Sequence, residues 1–322
     1  MSLVADDEER FQLAANAARR LVSQCLAHAE RVSSKMNDRI AAAPLTSPYG
    51  ADETRALKDE HLLAFKQILE HVEATTNALV THLAGLKRLL DDDTFLPLPA
   101  MVVARAIAEV AASGAWIVHP GLSSDERAAR GYAAMFAAVE NSIAASRPDD
   151  AAAMRKLRDR LQRQLGLHGT NVKTELRVNE HGVVQDDVAQ VFVGKGRTRA
   201  RAKVRFNYSQ RVKDEIPRAS ALYSALSAVA HGEHASITTS WSTPDSYARV
   251  IAHVVVESTE AWSRAVHSWV GATPGPFLNA DDRQNVIRSI PAATRASAVV
   301  KFTAAVAAGS IPSPKAPSRF GR

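Results

Sequence analysis

Residues 62–90, LLAFKQILEHVEATTNALVTHLAGLKRLL, decide the fold of this chain. Apolar residues recur there every three or four positions, which is the period of one face of an α-helix. The stripe consists of Leu62, Phe65, Ile68, Leu69, Val72, Leu79, Val80, Leu83, Leu86 and Leu90. A helix with such a stripe must bury it against other helices. We expect this helix to begin near Asp52 and to end at the acidic run 91–93.

A partner helix precedes it in the sequence. Residues 11–26 show the same apolar period, in a helix that we expect to run towards Ile40. The Pro-containing stretch 44–50 between the two helices is typical of a loop. Two long amphipathic helices with a short connection predict an antiparallel hairpin over residues 1–95.

Further helices follow the hairpin. The segment 100–118 is apolar nearly all round, which is typical of a helix at the centre of a bundle. Ser123 and Glu126 form a capping-box pattern that opens the next helix. The remaining helices are predicted over 123–146, 150–165, 217–231, 243–269 and, more weakly, 281–308. The tail 309–322, rich in Pro and Ser, is predicted to be disordered.

Between residues 172 and 206, alternation of apolar and polar residues replaces the helical period, which indicates β-strands. The predicted fold class is therefore mainly α, a multi-helix bundle with a small β-hairpin-like insertion near residues 172–206. We divide the chain into the hairpin 1–95, a bundle 96–271 that contains the insertion, a helical region 272–308 and the tail.

Composition limits the cellular setting. The single cysteine, Cys25, excludes an internal disulfide and a zinc site built from cysteines. The charged N-terminus lacks the apolar core of a signal peptide, and no uninterrupted apolar run is long enough to span a bilayer. We therefore expect a cytoplasmic protein without membrane contact. The net charge of +6 is compatible with a polyanionic partner and also with an ordinary arginine-rich protein.

The most unusual local feature is the basic segment 197–205, RTRARAKVR. In a strand, alternate side chains point to the same face, so its cations would form one row. The members of that row are Arg197, Arg199, Arg201, Lys203 and Arg205. Like charges this close repel each other, and a phosphate backbone of RNA or DNA would relieve the repulsion. Two alternatives remain, a charged edge strand that prevents aggregation and a mobile loop.

Arg105 and Glu109 stand four residues apart on the apolar helix 100–118. One interpretation is an ion pair within the helix that fixes its packing. The other is a catalytic group in a cleft, in which the carboxylate orients a histidine and the guanidinium holds a phosphate. His231, at the end of a later helix, is the histidine that we assign to this site. Arg105, Glu109 and His231 are thus the candidate catalytic residues.

Motifs for cofactors are missing from the sequence. There is no GxSxG elbow, no Walker A loop and no GxGxxG after a strand. His231 and His234 have a spacing that could share a metal, but Gly232 between them is typical of a helix end. We expect no cofactor and no metal.

Three segments carry a resemblance to a known group of proteins. They are residues 104–130, with ARAIAE, WIVHP and SSDERAAR, residues 222–232, LYSALSAVAHG, and the long helix around 248–271. In these segments the chain resembles all-helical actinobacterial proteins related to the HEPN-like families. The resemblance implies a helical bundle, a homodimer and, as in many HEPN proteins, metal-independent ribonuclease activity in toxin or antiviral defence systems.

The catalytic signature of those families is an arginine four to six residues before a histidine. Positions 224–227 before His231 hold no arginine, whereas Arg163 and His168 have the spacing but enclose Gly166. Our expectation is a nucleic-acid-associated helical protein, with a ribonuclease-like defence or toxin role. The alternative is a non-enzymatic scaffold or regulator that binds a protein partner.

Overall fold

The computed structural model describes residues 2–91, 96–167, 171–196, 199–205, 207–230, 244–278 and 282. Within them the chain forms ten helices and three strands. The helices are α1 (Ser2–Ser34), α2 (Met36–Ala41), α3 (Pro48–Ala56), α4 (Leu62–Asp91), α5 (Pro97–Ile117), α6 (Ser124–Ala145), α7 (Pro148–Leu167), α8 (Tyr208–Glu215), α9 (Ser220–Ala230) and α10 (Pro244–Trp269). The strands are β1 (Val172–Val178), β2 (Val184–Val193) and β3 (Ala200–Lys203). The prediction of a mainly α fold with a small β insertion is confirmed.

The N-terminal helices are more broken than the periodicity predicts. A turn at Lys35 separates α1 from α2, so the first helix does not run on to Ile40. The predicted end of the loop 44–50 is also wrong, because α3 already begins at Pro48. The Ser47 hydroxyl caps α3 by accepting a hydrogen bond from Gly50 N at 3.0 Å.

The second long helix is likewise interrupted. We expected it to start near Asp52, but α3 stops at Ala56 and α4 starts at Leu62. Two residues between them, Asp59 and His61, have positive φ angles of 59° and 56°. A left-handed backbone conformation cannot continue a right-handed helix, so the chain must turn there.

The apolar helix α5 lies at the centre of the bundle, as its sequence predicts. It packs against α4, α8, α9 and α10. Its buried alanines lie between larger side chains of the neighbouring helices, and the buried residues of α1, α4, α5, α9 and α10 form one continuous core. The predicted hairpin 1–95 therefore shares its core with the segment that follows it.

Length and composition alone would let α5 cross a membrane, although Arg105 and Glu109 interrupt its apolar run. More than half of that apolar window is buried inside the bundle. Burial among other helices accounts for most of the apolar composition of α5, because only a narrow side of this central helix, which includes Leu98 and Val102, reaches water.

The insertion is a three-stranded antiparallel sheet in the order β1–β2–β3. Gly182, with φ of 77°, lies in the turn between β1 and β2. The sheet packs on α6, and together they form a second core. The predicted capping box is confirmed, because Ser123 and Glu126 exchange hydrogen bonds at the start of α6. This second core holds the sheet against α6.

Two features of the C-terminal half differ from the prediction. The eight-residue helix α8 was not predicted, and α9 begins at Ser220, after a turn at 217–219, rather than at Pro217. The helix predicted over 243–269 is present as α10, with Pro244 in its first turn. Apart from Asp282, the predicted helix 281–308 and the predicted disordered tail 309–322 lie outside the described residues.

Candidate anion-binding site

The predicted catalytic residues Arg105 and Glu109 form an ion pair, and this pair also connects α5 to α9. Arg105 Nε donates to Glu109 Oε1 at 2.7 Å, within α5. The hydroxyl of Tyr223 on α9 donates to the same oxygen at 2.8 Å. Neither Arg105 nor Glu109 lines any of three cavities that lie among the described residues. The arrangement agrees with the packing interpretation of this pair, and His231, its predicted third member, lies outside the described residues.

The basic segment is a strand only in part. Strand β3 covers Ala200–Lys203, and Arg197 lies outside the described residues. From residue 201 to 205 the predicted alternation is present, with cations exposed and the small or apolar residues between them buried. The cations thus share one face over this shorter stretch.

Two members of the predicted row are held by the protein's own groups. Arg199 Nη2 lies 3.5 Å from Glu175 Oε1, and its guanidinium stacks 4.0 Å above the ring centre of Phe192. Arg205 Nε lies 3.3 Å from Asp187 Oδ2. Arg201 and Lys203, between them, have no ion-pair partner among the residues that the structure describes. Of the four members of the row that the structure describes, two are therefore paired with carboxylates and two are available to a ligand.

Arg201 and Lys203 open onto a cleft of about 370 Å³ between α5, α6, β3 and α8, which we call the basic cleft. Its lining residues are Trp116, Arg130, Arg201, Ala202, Lys203, Arg205, Asn207, Gln210, Arg211, Asp214 and Glu215. Five of these side chains are basic and two are acidic, so the cleft carries an excess of positive charge. An anion is the ligand that this charge favours.

The floor of the basic cleft is built on an aromatic ring. The guanidinium of Arg211 lies 4.0 Å from the ring centre of Trp116, and that of Arg130 lies 5.0 Å from it. Arg130 also donates to the backbone oxygen of Trp116. Guanidinium groups stack readily on the face of an indole, so Trp116 fixes the positions of both cations.

A hydrogen-bond chain behind the floor holds Arg211 in place. Its Nη1 donates to Ser113 Oγ at 3.1 Å, and that hydroxyl lies 3.0 Å from His71 Nε2. After it accepts from the arginine, the serine hydroxyl keeps its own proton and a second lone pair, so it can either donate to the imidazole or accept from it. Burial, with a contribution from Arg211, lowers the pKa of His71 to about 4, so the ring is uncharged at neutral pH.

Burial changes the acidity of the groups at the floor. It lowers the pKa of Arg211, only 4% exposed, to about 9, although the nearby Tyr208 and Glu215 oppose this shift. The pKa of Arg130 is lowered for the same reason, with Glu215 opposing. A bound anion would stabilise both cations, because it would replace the counter-charge that water no longer supplies.

A carboxylate and an imidazole border these cations. Glu215, whose side chain is 6% exposed, has Oε1 at 3.8 Å from Arg130 Nη1 and Oε2 at 3.9 Å from His119 Nε2. Burial raises the pKa of Glu215 to about 7, against the opposing effect of Arg130 and Arg211. Burial and the charge of Arg130 lower the pKa of His119. The charge of the cleft therefore changes near neutral pH.

Sequence reasoning missed the floor of this cleft. Trp116, Arg130 and Arg211 come from three different helices, and nothing in their local sequence points to a common site. A usable signal exists for α8, because Asn207 is a good N-cap and Arg211 and Glu215 are four residues apart. That spacing would have placed a cation and a carboxylate on one helix face beside the basic strand.

No protein-family model, curated protein or solved structure matches this chain. The resemblance to HEPN-like proteins, and the homodimer and activity that it implies, therefore stay predictions. What the basic cleft can bind follows from its own charges, burial and volume.

Proposed function

We propose that this chain binds nucleic acid, RNA or DNA, through the basic cleft. The observation that carries the proposal is the convergence of Arg201 and Lys203 on the cleft that also holds Arg130 and Arg211. The cations at the rim are exposed and those at the floor lie deeper. A phosphate in the cleft would therefore be contacted from more than one side. Such contacts supply most of the sequence-independent affinity of nucleic-acid-binding proteins.

A polymer fits the site better than a small anion does. The exposed cations follow β3 at every second residue, so they form a track that leads to the floor. A single phosphate would use the floor alone and leave Arg201 and Lys203 unused. A backbone with repeated phosphates can occupy the track and the floor at once.

The test is the affinity of the full chain for a labelled RNA at several salt concentrations. We expect Arg201→Gln combined with Lys203→Gln to weaken binding and to reduce the slope of log affinity against log salt by about 2, one for each lost phosphate contact. Circular dichroism checks that the variant keeps its fold.

A matched control is Lys156→Gln combined with Arg160→Gln. These two residues lie one turn apart on the exposed side of α7. Their double substitution removes two positive charges, as the test variant does, but outside the basic cleft. An equal loss of affinity in both double variants would show that only net charge matters, and the cleft would not be the binding site. If the RNA does not bind to the chain even at low salt, the proposal is wrong and the scaffold alternative remains.

A second candidate function is cleavage of the bound strand. One constellation favours it, the contact chain from His119 through Glu215 to Arg130 at the wall of the cleft. An imidazole and a carboxylate can move a proton, and a guanidinium can hold a phosphate. Labelled RNA incubated with the chain and a chelator should then be cut, and His119→Asn should stop the cutting while binding persists. Intact RNA after long incubation would contradict this function.

A further inference from the structure

An exposed aromatic ring stands at the rim of the basic cleft. Tyr208, the first residue of α8, is 46% exposed and follows Asn207, which lines the cleft. Among the Phe, Tyr and Trp side chains that the structure describes, no other is this exposed. Large apolar rings are normally buried, so one that is left open beside a charged cleft suggests a contact with a ligand.

Tyr208 lies beside the lining of the basic cleft, because its neighbours Asn207 and Arg211 on this part of the chain both line it. It precedes Arg211 by three residues on α8, which puts the two side chains on one side of the helix. Its phenol is also near enough to the Arg211 guanidinium to act on the pKa of that group, where it opposes the larger effect of burial. A ligand that extends from Arg211 along this side of α8 would therefore meet the ring of Tyr208.

The cations of the cleft lie at two depths. Arg201, Lys203 and Arg205 are exposed at the rim, whereas Arg211 is buried at the floor. A phosphate must enter a space of about 370 Å³ to contact both levels. A flexible strand can bend one phosphate into such a space, but a double helix presents its phosphates on a stiff cylinder.

A single strand and a duplex also differ in whether their bases are accessible to a protein side chain. In a duplex the bases are stacked and paired inside, so none of them can lie on an outside ring. In a single strand the bases are free to stack on an aromatic side chain while the phosphates follow a basic groove. The exposed tyrosine and the cation track together match the second case.

We infer that the ligand of the basic cleft is single-stranded nucleic acid, with one phosphate at the floor and an adjacent base stacked on Tyr208. This inference rests on the proposed function and specifies the class of nucleic acid. It treats Tyr208 as a contact residue that adds affinity without reading the base sequence, because every base has a face that can stack.

The experiment compares one labelled oligonucleotide, free and annealed to its complement, in binding to the full chain. We expect the single strand to bind at least about tenfold more tightly, which is the effect of one base–aromatic stack. Tyr208→Ser should lose about this factor for the single strand and leave duplex binding unchanged. The conservative Tyr208→Phe variant should restore the lost affinity, because the ring and not the hydroxyl makes the stack.

The outcomes separate the inference from the proposed function. Equal or tighter binding of the duplex by the unaltered chain would overturn the inference while nucleic-acid binding stands. The same would follow if Tyr208→Ser weakened single strand and duplex equally. If neither oligonucleotide binds at low salt, the proposed function itself fails. The comparison of the two ligands on the unaltered chain remains decisive even if Tyr208→Ser does not fold.

Discussion

The carboxylate of Glu215 lies 3.8 Å from the guanidinium of Arg130, and both side chains line the basic cleft. His119 approaches the other carboxylate oxygen at 3.9 Å, and Arg211 and Asp214 are the remaining charged groups that act on Glu215. Burial raises the pKa of Glu215 to about 7, so the carboxyl is largely neutral below this pH and charged above it. A charged Glu215 occupies Arg130 and repels an incoming phosphate.

Nucleic-acid affinity should therefore fall as the pH rises from about 6 to about 8, by up to tenfold for each pH unit, because the free chain then loses from Glu215 one proton that the complex keeps. The sign follows from the raised pKa, since the neutral form that favours the anion exists on the acid side. The measurement is binding at constant ionic strength to an RNA with a 5′-hydroxyl end. A terminal phosphate would itself titrate near pH 6, with a pKa of about 6.

Glu215→Gln is the control for this pH dependence. It keeps the shape of the side chain and removes its charge, so affinity should be nearly constant over the same range and should match the unaltered chain at acid pH. His119 contributes little over this pH range, because its pKa is lowered and the imidazole becomes charged only at a more acid pH than usual. A pH dependence that survives Glu215→Gln would assign the effect to another group.

The elements that the sequence predicts well are long and periodic. The stripe of α4 and the nearly all-apolar α5 carry their own signal, because burial on a helix repeats every three to four residues. The breaks at Lys35 and at residues 57–61 do not show in that period, since they lie outside the apolar stripes at 11–26 and 62–90. Helix α8 has only eight residues, which is too short for a period to be recognised.

The candidate site was predictable only on one side. The exposed cations of β3 appear in the sequence as an alternating row, whereas Trp116, Arg130 and Arg211 meet only because the sheet packs on α6 and α8 packs on α5. Tertiary packing of this kind leaves no mark in a local pattern. The same holds for Glu109, whose partner Tyr223 lies 114 positions away along the chain.

Removing one partner of the buried ion pair between Asp52 and Arg127 should cost much of the stability. Arg127 Nε and Nη2 donate to the two Asp52 oxygens at 2.5 and 3.0 Å, and the side chains are 4% and 7% exposed. Asp52→Ala leaves the guanidinium buried without its carboxylate, which should lower the free energy of unfolding by about 3–5 kcal/mol. Urea denaturation measures the change.

The exposed pair Arg264–Glu260 supplies the comparison for that prediction. Arg264 Nη2 lies 3.1 Å from Glu260 Oε1 on the surface of α10, where water and salt screen the charges. Arg264→Ala should change the free energy of unfolding by less than about 1 kcal/mol. If Asp52→Ala costs no more than Arg264→Ala, the Asp52–Arg127 pair does not hold α3 to α6.

Gly131 should be intolerant of a side chain, because α6 crosses α4 there at close range. A Cβ added at Gly131 would lie 2.6 Å from the backbone oxygen of Ala64 and 3.1 Å from its Cα, and backbone atoms cannot rotate away. Gly131→Ala should therefore destabilise the chain by about 1–3 kcal/mol, the usual cost of overpacking. Gly85→Ala is the matched control on α4, where an added Cβ meets nothing within 4 Å and should stabilise the helix by up to about 1 kcal/mol. Equal effects of the two substitutions would contradict the close crossing.

Cys25 should report these stability changes through its reactivity. The thiol is fully buried on α1, and burial raises its pKa to about 12. Because the thiolate is the reactive form, a disulfide reagent at pH 8 should modify Cys25 only when the surrounding core opens. The rate of modification should accordingly rise in Gly131→Ala and fall in Gly85→Ala, and when the opening is global the logarithm of the rate should change in proportion to the free energy of unfolding. Rapid modification of the unaltered chain without denaturant would show that the core around α1 is open to solvent, and the buried position of Cys25 would be wrong.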